Sequence, residues 1–340
     1  MSALTFRYAL TSKLIDSTIV FYFTSHAITV DETDIAIGRS LMLNSRMSYS
    51  DLGKTLGLTP QTVHHRVQEL MDAGIIMHPG TYISEHYHGN MWVVVYGWSR
   101  APSMDQVASR LETDRRVAVF FVASGNFVYV HGLVKDASDM AGFVSMVQKE
   151  AVMHELQVGI LPTPPPAPKE SLSKLDLRIV KALESDARRP ISDVAEEVGV
   201  TVKTARKRLD RMTEERLIVF SIHWRLDSQP DPITNVHLTI REDVDKEKVA
   251  FSLIKKLSAG VVRTMSFSNI PNQLIITLWT RNNKETHRIC QELEHEGLFV
   301  SVVPNILQAI YYFEEHRTLY LKEMMESASK LEGTTRKGQK

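Results

Sequence analysis

Cysteine is all but absent: Cys290 stands alone, which rules out an internal disulfide and leaves no cysteine spacing for a zinc site. Charge of one sign is not in excess either. The 40 Lys and Arg residues are balanced by 40 Asp and Glu, so no global field marks a nucleic-acid partner and any DNA contact must come from a local patch. Long apolar runs are missing as well. Ile19 to Phe23 falls far short of the roughly 20 apolar residues that cross a bilayer, and Lys13, Asp16 and His26 lie close by. No small-residue cleavage pattern follows, so a cytoplasmic protein is expected. A nucleophile triad, a phosphate loop and clustered metal ligands are all lacking. No catalytic residue, metal site or cofactor is therefore expected.

What the chain does have is a repeat. Its 340 residues suit two to four domains, and a shift of 142 positions aligns residues 34–76 with 176–218 without a gap. Eleven pairs in that window are identical, among them Asp34/Asp176, Leu41/Leu183, Asp51/Asp193, Gly57/Gly199, Thr59/Thr201 and Arg66/Arg208. Residues 161–170, with five prolines, can form neither a helix interior nor a central strand and read as a linker between the copies.

Each copy has the outline of a DNA reader. In the second, Leu175, Ile179 and Leu183 lie on one face of a helix. Ser192 then reads as the cap of a short helix over 193–198, Gly199 permits a tight turn, and Thr201 caps the next helix. The first copy repeats this with Ser48 or Ser50, Gly57 and Thr59. A short helix, a glycine turn and a second helix is the helix-turn-helix plan, whose second helix enters the major groove. At 100° per residue, Val202, Ala205, Leu209 and Met212 face inward and Lys203, Arg206, Lys207 and Asp210 face outward. With Arg208 and Arg211 counted, residues 203–211 hold five bases and one acid, a local charge of +4. This face suits phosphates and guanine edges, although the same run also fits a solvated helix face. The corresponding face of the first copy, Gln61, His64, His65 and Gln68 with Arg66 at its edge, is polar and nearly neutral, which suits a weaker reader first, and otherwise a pH-sensitive reader or a pairing surface. The segments 75–83 and 217–226 suit wings. His86-Tyr87-His88 reads as a surface connector.

A βαββαβ order follows each reader. In the first half the strands span 91–98, 117–123, 127–134 and 152–160, with helices at 103–111 and 137–149. In the second half the strands span 233–240, 261–267, 274–280 and 298–303, with helices at 246–257 and 284–294. This is the split ferredoxin-like unit. Helices cover one face of its sheet, so the other face requires a partner sheet, from the companion unit or from a second chain.

The run from Leu175-Asp176 through Asp186-Ala187-Arg188-Arg189-Pro190 to Gly199-Val200-Thr201, Arg208 and Leu209 resembles the leucine-responsive regulatory protein/AsnC family, and the domain order resembles it across both halves. The resemblance implies a DNA-binding regulator whose βαββαβ domains pair and often bind amino acids. It places Lys203, Arg206, Lys207 and Arg208 on the recognition helix and Gly125, with Asn126, in the effector loop. Two departures stand out: two readers occupy one chain, and Gly125-Asn126-Phe127 is followed by Val128 where the family pattern has Asp. Pure assembly is therefore an alternative role for the ferredoxin-like units.

The expected fold is α+β: two winged helix-turn-helix domains, each followed by a ferredoxin-like domain. The segments are an N-terminal piece (1–30), reader one (31–86), ferredoxin-like one (87–160), the linker (161–170), reader two (171–228), ferredoxin-like two (229–310), and a C-terminal helix with a basic tail (311–340). The helix is expected from the stripe Leu321, Met324, Met325 and Ala328. Expected partners are double-stranded DNA, a small-molecule effector, and either intrachain pairing or a homo-oligomer, with no membrane. Two other functions share this plan: a tetrapyrrole enzyme resembling siroheme decarboxylases, with His131 and His154 as candidates, and a DNA-organising scaffold.

Overall fold

A computed structural model describes residues 29–84, 87, 90–162, 172–257, 259–313 and 320–326. The N-terminal segment to residue 28, the linker prolines from Pro164 to Pro168, His86, His88, Ala328 and the basic tail lie outside the described residues.

Reader one comprises α1 (Glu32–Leu43), α2 (Tyr49–Leu56), α3 (Pro60–Asp72) and β1 (Ile76–Ile83). The first ferredoxin-like unit follows as β2 (Met91–Ser99), α4 (Met104–Leu111), β3 (Val117–Ala123), β4 (Phe127–Val134), α5 (Ala137–Glu150) and β5 (Met153–Ile160). Reader two repeats the first with α6 (Lys174–Ala182), α7 (Ile191–Val198), α8 (Val202–Glu214) and β6 (Ile218–Trp224). The second unit closes with β7 (Ile233–Ile240), α9 (Lys246–Lys256), β8 (Val261–Ser266), β9 (Gln273–Trp279), α10 (Asn283–His295) and β10 (Phe299–Tyr312).

Local chemistry sets these boundaries. Ser48, Thr59 and Thr201 accept from the backbone N–H three residues on, and Gly57 and Gly199 end their helices in the left-handed region at φ 69°. Ser192 does not cap α7. Pro190 holds that position, since its ring presets the backbone for helix entry, and Ser192 sits in the first turn bonded to Asp193.

Two expectations about strands need correction. The segments after the readers do not form separate wings. β1 and β6 pair antiparallel with each other, Ile83 opposite Ile218 and Ile76 opposite Trp224, so each reader completes the other's sheet. Separately, β10 runs on to Tyr312, well past residue 303. Its first half pairs with β7, Phe299 to Ile306, and its second half crosses to β3, Leu307 to Tyr312. One strand thus joins the two units into an eight-stranded sheet of order β5-β2-β4-β3-β10-β7-β9-β8.

At the opposite edge, Ser268 and Asn269 bond to Ile160 and Val158 of β5, and the inner faces meet at Tyr96–Gln273 and Tyr129–His237. The two ferredoxin-like units are therefore partners within one chain. Leu321, with Met324 and Met325, packs into the apolar core of reader two. Among the described residues no helix is long and apolar enough to cross a membrane.

Candidate nucleic-acid interface

Helix α8 buries Ala205, Leu209 and Met212 against reader two, the 3–4 spacing of an amphipathic helix. Val202, expected inside, is 42% exposed, because it occupies the first turn, where no second layer covers it. Lys203, Arg206 and Lys207 are exposed and enter no ion pair among the described residues. Arg208 and Arg211 differ. Both reach the buried carboxylate of Asp176 on α6, Arg211 at 2.8 Å and Arg208 at 3.4 Å, and Arg211 also meets Glu215 at 3.4 Å. Asp176 in turn forms the capping box with Ser173. The structure therefore divides the five bases into three free cations and two that tie the recognition helix to α6.

Reader one repeats the tie with different outer residues. Arg66 bonds Asp34 at 2.9 Å and Asp31 at 3.0 Å, across the capping box that starts α1. Burial raises the Asp34 carboxyl above its ordinary value even with Arg66 beside it. Gln61, His64, His65 and Gln68 are all exposed on α3. His65 lies 3.0 Å from Glu69, Gln68 donates to Asp72 at 2.9 Å, and His64 sits edge-on to Tyr49 with centroids 5.2 Å apart. No metal-binding group of three or more His, Cys, Asp or Glu is present among the described residues.

The turns before α2 and α7 lock the two readers together. Arg46 and Arg188 are identical positions of the repeat, and each reaches the other reader's backbone. Arg46 donates to the carbonyls of Ala187 and, at 3.3 Å, Arg189. Arg188 donates to the Met47 carbonyl at 2.9 Å and stacks 4.3 Å over the Tyr49 ring. Burial pulls both guanidinium groups below their ordinary values. Reciprocal contacts of this kind define an isologous interface, here formed inside one chain. Sequence reasoning missed this pair; the available signal was its identity within the repeat at a turn, where no core position demands arginine.

Gly125 and Asn126 sit where expected, in a one-turn 3₁₀ segment between β3 and β4. Both take positive φ, 70° and 58°, and open space surrounds the Gly125 Cα. His131 is buried inside the sandwich, whereas His154 lies on the edge strand β5. The two histidines do not share a site.

Residues 30–77 match the winged helix-turn-helix DNA-binding family, and residues 172–213 match the AsnC-type helix-turn-helix domain. An HTH-type transcriptional regulator of Pyrococcus abyssi is 26% identical over 125 residues, 35% of this chain and 81% of its own. Regulatory protein AsnC of Haemophilus influenzae is 25% identical over 127 residues, 35% of this chain and 85% of its own. In fold, the crystal structure of the siroheme decarboxylase NirDL aligns over 88% of this chain and 100% of its own, with a TM-score of 0.53 and 13% identity. Two helix-turn-helix DNA-binding domains in a mixed α+β chain define the class. Within it, each half of the chain repeats a reader followed by a companion domain, and about a third of the chain is similar to regulators of the AsnC type.

Proposed function

We propose that the protein is a transcription regulator that reads double-stranded DNA as a single chain, through two recognition helices of unequal charge. The observation that carries this reading is the exposed, unpaired Lys203, Arg206 and Lys207 on α8 of an AsnC-type reader. Three such cations supply phosphate attraction, and Arg206 suits a guanine edge. The β1–β6 pair and the Arg46/Arg188 exchange support a further step: the chain supplies the reader pair that a symmetric regulator obtains by dimerising, so its operator needs two adjacent half-sites but not a palindrome. The half under α8 carries the affinity. The half under α3 is read by Gln61 and Gln68, whose amides suit adenine, with His64 and His65 beside them. Gly125 and Asn126 remain the effector-loop candidates, for a small molecule that tunes the readers.

DNA affinity selection from genomic fragments, with footprinting at two salt concentrations, tests the proposal. Discrete sites that persist at the higher salt are expected. Uniform, salt-labile coating would make the protein a DNA-organising scaffold. A second reading, a tetrapyrrole enzyme, draws on the fold likeness to NirDL and on the enclosed, unpartnered Nε2 of His131. Loss of a carboxylate from siroheme on incubation, with a changed absorbance spectrum, would favour it.

A further inference from the structure

The helix-facing cores of the two ferredoxin-like units are built from apolar side chains, such as Val93, Phe120 and Phe143 in the first and Val236, Ile276 and Leu293 in the second. The interior between the two sheets differs. There the Tyr96 hydroxyl donates to Gln273 at 2.6 Å, the Tyr129 hydroxyl bonds His237 Nε2 at 2.7 Å, and Thr277 donates to Asn235 Oδ1 at 2.7 Å. Arg263 on β8, opposite Thr277, enters the same interior. Its Nε lies 3.5 Å from the Thr277 hydroxyl, and its guanidinium sits 5.0 Å from the centroid of the Phe121 ring. No carboxylate pairs with it among the described residues.

The polar atoms left over around Arg263 are of one kind. Arg263 Nη2 can only donate and is closed off from solvent without a partner; the Asn235 amide, held through Thr277 beside it, is turned toward the Tyr129 hydroxyl. Thr277 bridges the two residues. His131 Nε2 is likewise enclosed and unpartnered, with its ring 5.0 Å from the same Phe121 ring. Burial, reinforced by the Arg263 charge, pushes His131 well below its ordinary value, so the ring is neutral and Nε2 is free to carry the proton. A guanidinium does not shed its charge in a protein, and leaving it enclosed without a counter-charge is costly.

We infer that Arg263 and His131, with Asn235 at their side, form a site for a small monovalent anion, a halide or a short carboxylate, held between the two ferredoxin-like sheets. A water molecule would satisfy the donors but leave the charge uncompensated; an anion does both. Arg263 as a whole residue is only half-buried, which leaves a route inward. The site also adjoins reader one: Arg39 of α1 donates to the Val261 carbonyl at 3.0 Å, two residues before Arg263, and a single apolar cluster runs from Ile35 and Leu41 of α1 through Trp224 to Phe121. Occupancy is thereby coupled to the seat of reader one. The inference holds whether or not the readers bind DNA.

Thermal unfolding of the full chain in a zwitterionic buffer, titrated separately with sodium acetate and sodium chloride, tests it. A saturable rise in Tm is expected with at least one salt, and the salt with the lower half-saturating concentration identifies the occupant. Asn235→Asp places a carboxylate beside Arg263 and is expected to remove the response while keeping Tm at or above the anion-free wild type. Arg263→Met should raise the half-saturating concentration at least tenfold. An unsaturable rise equal in wild type and both variants would overturn the site. Should either variant fold poorly, ¹⁹F line width of trifluoroacetate with the wild-type chain decides: broadening relieved by acetate or chloride supports the site, and an unbroadened line overturns it.

Discussion

The two readers share a frame and differ in the surface they present. Their identical residues do structural work: Thr59 and Thr201 cap the recognition helices, Gly57 and Gly199 make the turns, and Arg66 and Arg208 tie those helices to Asp34 and Asp176. The four exposed positions on the outer face all differ, Gln61 against Lys203, His64 against Arg206, His65 against Lys207 and Gln68 against Asp210. Between the two copies the frame is the same and the outer face differs. Under the proposed function α8 supplies the electrostatic grip and α3 supplies hydrogen-bonding side chains.

Removing that grip should have the largest effect. Arg206→Ala with Lys207→Ala is expected to weaken DNA binding about 100-fold or more at moderate salt, and to reduce the slope of log K against log salt by about 2, one per lost phosphate contact. Titrations at several salt concentrations check this, and unchanged affinity would mean that α8 is not the main contact. The reverse exchange sharpens the comparison. Gln61→Lys, His64→Arg and His65→Lys together should steepen the salt dependence by about 3 and raise affinity for unrelated duplexes most of all. A variant with unchanged slope would show that α3 faces away from DNA.

The helix ties should also differ in strength. Asp176 is fully buried and serves two arginines, whereas Asp34 shares Arg66 with Asp31. Asp176→Asn is expected to cost about 3 kcal/mol by chemical denaturation, in the range for breaking a buried pair, and Asp34→Asn about 1. Equal losses would mean that the partners of Asp176 add nothing.

Stability should depend on pH through the sandwich. Burial lowers His237 to about 4, against 6.5 for the free side chain. The native state therefore binds fewer protons than the unfolded chain between those values, and stability falls as pH drops from 6.5 toward 4. The full contribution of this residue is about 3 kcal/mol. His237→Gln should flatten that decline in pH-dependent unfolding.

Element order and inward-facing helix positions were largely legible in the sequence, because the repeat, the glycine turns and the 3.6-residue apolar spacing are local signals. What was not legible depends on contacts across long separations. Nothing near β1 announces that its partner is β6, 142 positions away, since an apolar β-prone segment after a reader fits a wing equally well. The crossing of β10 from one unit to the other was hidden for the same reason: Asn305 to Tyr312 continues a strand pattern without saying which sheet it joins. At the site, charge pointed to five cations on α8, but separating Arg208 and Arg211 from Lys203, Arg206 and Lys207 required the position of Asp176 in space. Asn235 and His237 are buried although polar, and alternation along a strand does not reveal that a second sheet covers them.

The smallest expected effect is the most discriminating for the division of labour. His64→Ala with His65→Ala leaves the lysines and arginines of both readers in place, and His65 is already engaged by Glu69 on its own helix. A loss of about threefold in affinity for a selected site is expected, with the salt slope unchanged, since the phosphate contacts that set the slope remain with α8. Base preference in the half-site under α3 should relax instead, because the amides and imidazoles there act on base edges. Competition between the selected duplex and one scrambled only in that half separates the two effects. If the double variant lost more than Arg206→Ala with Lys207→Ala, the near-neutral helix would be the principal reader and the basic helix an anchor.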